Sequence, residues 1–224
     1  MTARAELPRP TLMLVTDSAR LHGRDLAEVV AAAVEGGVDA VQLREKSLRH
    51  HHLLALGERI RDAIAGRALL LINGDTDATL ALRAGGVHLP DAATATTGMR
   101  ARAGDRLLIS CAVHDLDAAR RAEREGADIL VLGTVFPSTS HRGGPTIGLD
   151  GLRAVCDAVK IPVVAIGGIT ENNAGDVIRA GASGVAVISA IFDAPDPRAA
   201  ATALRAAIDH SVPPLREVGE GGRG

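Results

Sequence analysis

Two apolar runs near the C-terminus decide how this chain folds: Val163-Val164-Ala165-Ile166-Gly167-Gly168-Ile169 and Gly184-Val185-Ala186-Val187-Ile188-Ser189-Ala190. Each has the length and the β-branched content of a strand that is buried on both faces. Residues 173–180, which separate them, have a helical pattern. Both runs end in small residues, which let an anionic ligand approach backbone N–H groups, although glycines at a strand end also serve tight turns. A pair of such runs favours a phosphate site.

The same alternation of short apolar runs and amphipathic stretches continues along the whole chain and reaches eight strands. Strands that alternate with helices form a parallel sheet with right-handed crossovers. Eight such units predict a single-domain α/β protein, a (β/α)8 TIM barrel, with an open doubly wound sheet as the alternative. The predicted strands are residues 11–16, 40–44, 68–73, 86–89, 107–113, 129–136, 162–169 and 184–191, and the predicted helices include 25–35, 51–65, 79–84, 117–125, 152–159, 173–180 and 197–209.

The composition favours a small molecule as the partner. The 224 residues carry a net charge of −2, with 25 basic and 27 acidic residues scattered along the chain. There is no Trp and no Tyr, and there are only two Phe residues, so stacking on nucleic-acid bases is nearly unavailable. We therefore expect no nucleic-acid partner and no membrane partner.

The chain ends and the cysteines indicate one cytoplasmic domain. Residues 1–10 are expected to form an N-terminal extension, 11–210 the barrel, and 211–224 a flexible tail. The first residues lack the apolar core of a signal peptide, and no apolar stretch is long enough to span a bilayer. Cys111 and Cys156 are too few for a disulfide framework or a zinc site.

Polar residues at the end of the second strand predict an anion site. In Val41-Gln42-Leu43-Arg44-Glu45-Lys46, alternation places Gln42, Arg44 and Lys46 on one face. Arginine offers a fork of donors and lysine a mobile charge, a combination that suits a phosphate or pyrophosphate. Asn73 and His114 end later strands and also reach the predicted barrel mouth, whereas His88 lies within an apolar run and is interpreted as a buried, satisfied histidine.

The loop after the sixth strand, residues 133–145, has the composition of a lid over the site. Its hydroxyl and charged side chains could close over a bound phosphate, and His141 is the natural proton carrier near neutral pH. The alternative interpretation is a solvated surface loop. The side chains concerned are Ser138, Ser140, His141 and Arg142.

Five motifs, in order along nearly the whole chain, resemble the thiamine phosphate synthase/TenI superfamily. The resemblance implies a (β/α)8 barrel that handles thiazole phosphate. It places the thiazole phosphate at Gly168, Ile188 and Ser189, with Ser138 and Ser140 in the same site, and the pyrimidine pyrophosphate at Gln42, Arg44, Lys46 and Asn73. Gly167, which precedes Gly168 at the end of its apolar run, is a further candidate for binding the substrate. The motifs are Gln42-Leu43-Arg44-Glu45-Lys46, Gly86-Val87-His88-Leu89, Phe136-Pro137-Ser138-Thr139-Ser140, Ile166-Gly167-Gly168-Ile169 and Val187-Ile188-Ser189-Ala190.

The chain departs from the synthase pattern at the metal site. In the synthase branch, carboxylates after the third and fourth strands hold Mg²⁺, but those positions are Gly74 and a residue at or near Ala93 in this chain. Asp75 and Asp91 are displaced by one or two positions and are the candidate ligands if the chain is a synthase. Where the synthase branch has a lysine in the sixth-strand loop, this chain has His141. Where that branch has a serine in the fifth strand, this chain has Ala112.

These departures favour the TenI branch and a metal-independent thiazole tautomerase. Such proton transfer needs an acid and a base but no cofactor, and we expect none. The TenI branch has a histidine directly after the sixth-strand glycine, but this chain has Thr134 at that position. The candidate catalytic residues are therefore His141, Lys46 and His114. Two alternatives stay open: a thiamine phosphate synthase, which would use Mg²⁺ and both substrates, and a non-catalytic thiazole-phosphate-binding regulatory protein. A homo-oligomer is expected.

Overall fold

The computed structural model describes residues 7–8, 10–90, 96–104, 106–138 and 144–211, and eight parallel strands form one closed barrel. The last strand pairs with the first, with Val185 opposite Leu12. This pairing confirms the predicted (β/α)8 fold, because an open sheet would leave two edge strands unpaired. The strands are β1 (Thr11–Val15), β2 (Ala40–Leu43), β3 (Leu69–Asn73), β4 (Gly86–Leu89), β5 (Leu108–Val113), β6 (Ile129–Gly133), β7 (Val163–Ile166) and β8 (Gly184–Val187).

Helices connect the strands and cover the outside of the barrel. Several begin at an aspartate: Asp25, for example, accepts hydrogen bonds from the N–H groups of Ala27 and Glu28. Gly37 and Gly126 follow helix ends at φ of +107° and +95°, a conformation that glycine adopts without the steric cost of a Cβ. The helices are α1 (Leu26–Glu35), α2 (His50–Ile64), α3 (Thr76–Ala81), α4 (Thr96–Ala103), α5 (Leu116–Arg124), α6 (Gly148–Ala158), α7 (Ala174–Arg179), α8 (Ser189–Phe192) and α9 (Pro197–Asp209).

The sixth and eighth strands are shorter than the sequence predicts. The predicted strands run to residues 136 and 191, but β6 ends at Gly133 and β8 at Val187. The apolar pattern continues because Val135 is buried in the turn after β6, and Ile191 is buried in the unpredicted helix α8. Apolar periodicity reports burial, and a short apolar run does not distinguish a strand from a buried turn or a short helix.

The core has an inner and an outer part. The larger part lies between strands and helices, and the smaller part fills the barrel interior. Along each strand the interior residues alternate with those that face the helices, as in β1, where Met13 and Val15 face inward while Leu12 and Leu14 face outward. Near the C-terminal ends of the strands, polar side chains continue the same inward-facing rows and form the site described next. None of the described helices is long and apolar enough to cross a membrane.

Candidate active site at the barrel mouth

A cavity of about 200 Å³ opens at the C-terminal ends of the strands. It brings together predicted site residues from β2 and β3 and from the segments that follow β2, β5, β6, β7 and β8. Ser140, His141, Arg142 and Asp91 lie outside the described residues, so their predicted roles remain predictions. The predicted residues that line the cavity are Gln42, Arg44, Lys46, Asn73, His114, Ser138, Gly167, Gly168, Ile188 and Ser189.

The end of β2 supplies a positively charged side of this cavity. Gln42 is only 3% exposed, and its Nε2 donates to Oδ1 of Asn73 at 3.1 Å, which fixes both amides. The half-buried Arg44 and the exposed Lys46 extend beyond them and line the mouth. No ion pair joins either cation to any described residue. Their charges are therefore available to an anionic ligand.

Glu45 is kept out of the cavity by its neighbours. The Thr16 hydroxyl donates to Oε1 of Glu45 at 2.7 Å and accepts from the backbone N–H of Arg44 at 2.9 Å. The backbone N–H of Ser18 donates to Oε2 of the same carboxylate at 3.3 Å. The alternation predicted along this segment is thus present, and the carboxylate does not neutralise the cationic side.

The two glycines after β7 are required by packing as well as by backbone conformation. Gly167 and Gly168 have φ of +106° and +63°. A Cβ on Gly168 would lie 2.5 Å from the carbonyl oxygen of Pro137, and one on Gly167 would lie 2.5 Å from Cγ2 of Thr134. The segment after β6 therefore passes directly over these glycines, and Phe136 N–H donates to the Gly167 carbonyl at 3.0 Å. The glycine pair therefore serves a close turn, and it also lines the cavity. The predicted phosphate contact at these residues stays a prediction.

Ser189 lies beside these glycines and begins the short helix α8. The first N–H groups of a helix have no intrahelical partner and can bind a ligand. The guanidinium of Arg24 donates to the carbonyls of Phe192 and Ala194 at the other end of α8. Together with Ser138, the segments after β7 and β8 form an uncharged, donor-rich side of the cavity.

His88 lines the floor of the cavity and is the site residue that the sequence assigned only to the core. It lies opposite Asn73 in the β3–β4 register and is 4% exposed. Its Nδ1 is 3.0 Å from Oγ of the fully buried Ser110. Burial, and secondly the nearby Arg44 charge, lower the pKa of His88 to about 4. Alternation places His88 on the inward face of β4, two residues after Gly86, but it does not distinguish the barrel core from the cavity floor.

His114 lies at the exposed rim and has a defined tautomer. Its Nδ1 is 2.6 Å from the carbonyl oxygen of Gly133. A carbonyl only accepts, so Nδ1 carries a proton and donates it. In the neutral imidazole, Nε2 then keeps its lone pair and can accept a hydrogen bond or a proton.

Asp75, the candidate metal ligand after β3, does not line the cavity. Its carboxylate caps α3 by accepting from the N–H of Ala78 at 2.8 Å, and its other oxygen lies 2.7 Å from Nδ1 of His50. Burial opposes ionisation, but the hydrogen bonds from Ala78 and His50 hold the pKa of Asp75 below its usual range. These contacts explain why a carboxylate next to Asn73 and Gly74 turns away from the mouth.

The burial of His88 predicts an acid-dependent loss of stability. Its pKa is about 4 in the folded protein and about 6.5 in an unfolded chain. Below pH 6.5 the unfolded state therefore binds a proton that the folded state excludes. The free energy of unfolding should be fully retained above pH 6.5 and fall by up to about 3 kcal/mol as the pH approaches 4. Urea denaturation between pH 7 and pH 4.5 measures this slope.

The control for this measurement is His88→Gln, which has no titrating ring. The other acidic and basic groups contribute equally to both proteins, so the difference between the two slopes isolates His88. Equal slopes would contradict the assignment of a buried, neutral imidazole.

Comparisons with known proteins agree on one family. A family model described as thiamine monophosphate synthase matches residues 12–191. Thiamine-phosphate synthase of Haloquadratum walsbyi is 42% identical over 200 residues, which are 88% of this chain and 90% of that protein. The Moorella thermoacetica thiamine-phosphate synthase is 42% identical over 203 residues, 89% of this chain and 96% of that protein.

Among solved structures, thiamine phosphate pyrophosphorylase from Pyrococcus furiosus superposes with a TM-score of 0.82 at 37% identity. The superposition covers 91% of this chain and 97% of that chain. A 3-hexulose-6-phosphate synthase superposes with a TM-score of 0.69 at 22% identity, a level that shows a shared barrel fold alone. The segment matched by the family model contains every described residue that lines the cavity.

Proposed function

The chain belongs to the thiamine monophosphate synthase family and is an enzyme of thiamine biosynthesis, and from that premise we propose that it joins a pyrimidine pyrophosphate to a thiazole phosphate. The observation that carries the proposal is a single cavity with two chemically different sides, one cationic and one uncharged, each of which we assign to one anionic substrate. Arg44 and Lys46 supply one side, and Gly168 and Ser189 supply the other. Two anionic substrates that must react with each other need such an arrangement.

The residues of the cavity support this reaction in two ways. Holding both substrates by their phosphates places the two rings in the space between the anion sites, which removes much of the entropic cost of their encounter. The bond to pyrophosphate breaks as the new bond to the thiazole forms, and negative charge builds up on the leaving group. Arg44 and Lys46 stabilise that charge.

This proposal reverses the order of preference that the sequence suggested. The missing carboxylates favoured a tautomerase, but relatives that match about nine-tenths of the chain at 42% identity are named thiamine-phosphate synthases. A tautomerase of thiazole phosphate has only one phosphate to bind. The cationic side at Arg44 and Lys46 would then have no pyrophosphate to hold.

The described lining does not fit a Mg²⁺ ion. It offers two cations, two amides, two imidazoles and hydroxyls but no carboxylate, and Asp75 is turned away to cap α3. Magnesium sites in proteins are built on carboxylates. The described residues contain no cluster of three metal-ligating side chains. We therefore assign no step to a metal. The expectation that the protein needs no cofactor stays a prediction. The role of Asp91 as a metal ligand also stays a prediction, because Asp91 lies outside the described residues.

A metal-independent tautomerase is the second candidate. The free Nε2 of His114 could take a proton from a ring bound at Gly168 and Ser189. Lys46 could return it, so both would serve as acid and base. His141, the other proposed proton carrier, is outside the described residues.

The assay that tests the proposal mixes hydroxymethylpyrimidine pyrophosphate with thiazole phosphate in a buffer that contains Mg²⁺. We expect thiamine phosphate and pyrophosphate in equal amounts, measured by chromatography and by a coupled phosphate assay. Tautomerisation of carboxythiazole phosphate without any thiamine phosphate would support the second candidate instead. If the protein binds thiazole phosphate tightly but catalyses neither thiamine phosphate formation nor tautomerisation, the result would support a non-catalytic regulatory protein.

A further inference from the structure

His88 presents one ring nitrogen to the cavity and the other to the barrel interior. Nδ1 contacts Ser110, which is 0% exposed and does not line the cavity. Nε2 has no hydrogen-bond partner among the described residues. Every fully buried polar side-chain atom of the described residues has such a partner. Nε2 is therefore the nitrogen that reaches the cavity.

The contact with Ser110 also fixes where the imidazole proton lies. A buried hydroxyl proton without an acceptor is costly, and the only partner of the Ser110 hydroxyl in the described structure is Nδ1 of His88. The hydroxyl therefore donates to Nδ1. Because a neutral imidazole carries one proton, that proton is on Nε2.

We propose that Ser110 is a positioning residue that holds His88 in its Nε2–H tautomer, and that Nε2–H donates a hydrogen bond to a nitrogen lone pair of the pyrimidine ring. This inference rests on the proposed function, because it takes the pyrimidine to lie on the floor beside Asn73. It identifies a specificity determinant for an uncharged heteroaromatic acceptor, in addition to the anion sites.

The surroundings of His88 explain why the acceptor is a ring nitrogen. His88 is the register partner of Asn73, whose Oδ1 is occupied by Gln42, so the Asn73 amide also offers donors here. Arg44 lies close enough to disfavour a charged imidazole. The guanidinium of Arg44 binds the anionic group of the ligand. The neutral Nε2–H of His88 beside it then donates to an uncharged acceptor in the same ligand. A heteroaromatic ring with a pyrophosphate arm matches both features.

The tautomer is tested directly by NMR on protein with ¹⁵N-labelled histidine. We expect the His88 ring to show a proton on Nε2 and a lone pair on Nδ1 at pH 7. In Ser110→Ala, the same ring should shift toward the Nδ1–H tautomer or a mixture, while the His114 signals stay unchanged. An Nδ1–H tautomer in the unaltered protein would overturn the inference.

Ligand binding tests the role of the tautomer without requiring turnover. Calorimetry compares hydroxymethylpyrimidine pyrophosphate with two analogues in which one ring nitrogen is replaced by CH. One analogue should bind the unaltered protein about five- to tenfold more weakly, the size expected for one neutral hydrogen bond. Ser110→Ala should weaken binding of the parent ligand to a similar extent and abolish the discrimination.

A second variant separates positioning from a merely structural role. His88→Gln places an amide donor near the position of Nε2 and does not depend on a hydroxyl at position 110. Adding Ser110→Ala to His88→Gln should therefore change binding less than twofold, whereas independent effects would multiply. Multiplied effects would overturn the positioning role of Ser110.

Failure of this inference and failure of the proposed function give different results. If the protein binds the pyrimidine pyrophosphate but does not distinguish the analogues, the inference is wrong and the synthase proposal stands. If the protein binds thiazole phosphate and no pyrimidine pyrophosphate, both are wrong.

Discussion

Replacing Arg44 by alanine is expected to lower kcat/KM for thiamine phosphate formation by about a hundredfold to a thousandfold. The guanidinium lines the cationic side of the cavity and is not neutralised by any described carboxylate. It can bind the pyrophosphate in the ground state and stabilise the charge that develops on it as it leaves. We therefore expect KM for the pyrimidine substrate to rise and kcat to fall, while KM for thiazole phosphate changes little.

Arg61→Ala is the matched control for this experiment. Arg61 is an exposed arginine on α2 that does not line the cavity, so its loss removes the same charge from the protein. Its kcat/KM should stay within a factor of two of the unaltered protein. An Arg44→Ala variant that retains full kcat/KM would remove the basis for placing the pyrophosphate at the end of β2.

Gly168→Ala is expected to lower the free energy of unfolding by about 2–5 kcal/mol. Two costs add up. The first is the backbone conformation, because a non-glycine residue at φ of +63° costs about 1–2 kcal/mol. The new Cβ would also lie 2.5 Å from the Pro137 carbonyl oxygen, and overpacking of that kind costs about 1–3 kcal/mol. Urea denaturation at pH 7.5 measures the loss.

Gly66→Ala separates these two costs. Gly66 has φ of +73°, and a Cβ there would meet nothing within 4 Å, so this variant has the backbone cost alone. Its loss should be about 1–2 kcal/mol, clearly smaller than that of Gly168→Ala. Equal losses in the two variants would mean that the segment after β6 does not press against Gly168.

Gly168→Ala should also weaken thiazole phosphate binding in the fraction that folds. The clash is with the backbone of the segment after β6, and that segment also carries the cavity residue Ser138. Relief of the clash requires one of the two cavity walls to move. Gly66 is remote from the mouth, so its variant should bind as the unaltered protein does.

Most of the fold could be predicted because strand and helix periodicities are local. Residues 86–89 and 197–209 were predicted with the bounds that β4 and α9 have in the structure. Errors lie where apolar residues are buried outside a strand, as at Val135 after β6 and Ile191 in α8. The pattern records that these residues avoid water but not what they pack against.

Much of the site could be predicted for the same reason. Alternation along β2 placed Gln42, Arg44 and Lys46 on one face, and all three line the cavity. Alternation gave no reason to place Asp75 away from the cavity, because that depends on capping α3 and on His50, which lies 25 positions away along the chain. Nor could it assign His88 to the cavity, since an inward-facing residue at that height is either core or floor.

The sequence by itself determined the alternating fold, the two rows of small residues after the last strands and the cationic face after the second. Each of these follows from spacing along a single element. Only the tertiary structure decided which polar groups meet: Ser110 beneath His88, Pro137 over Gly168, and Asp75 with His50 outside the mouth. These contacts depend on the register between neighbouring strands and on barrel closure, which bring distant parts of the chain together and which no local periodicity encodes.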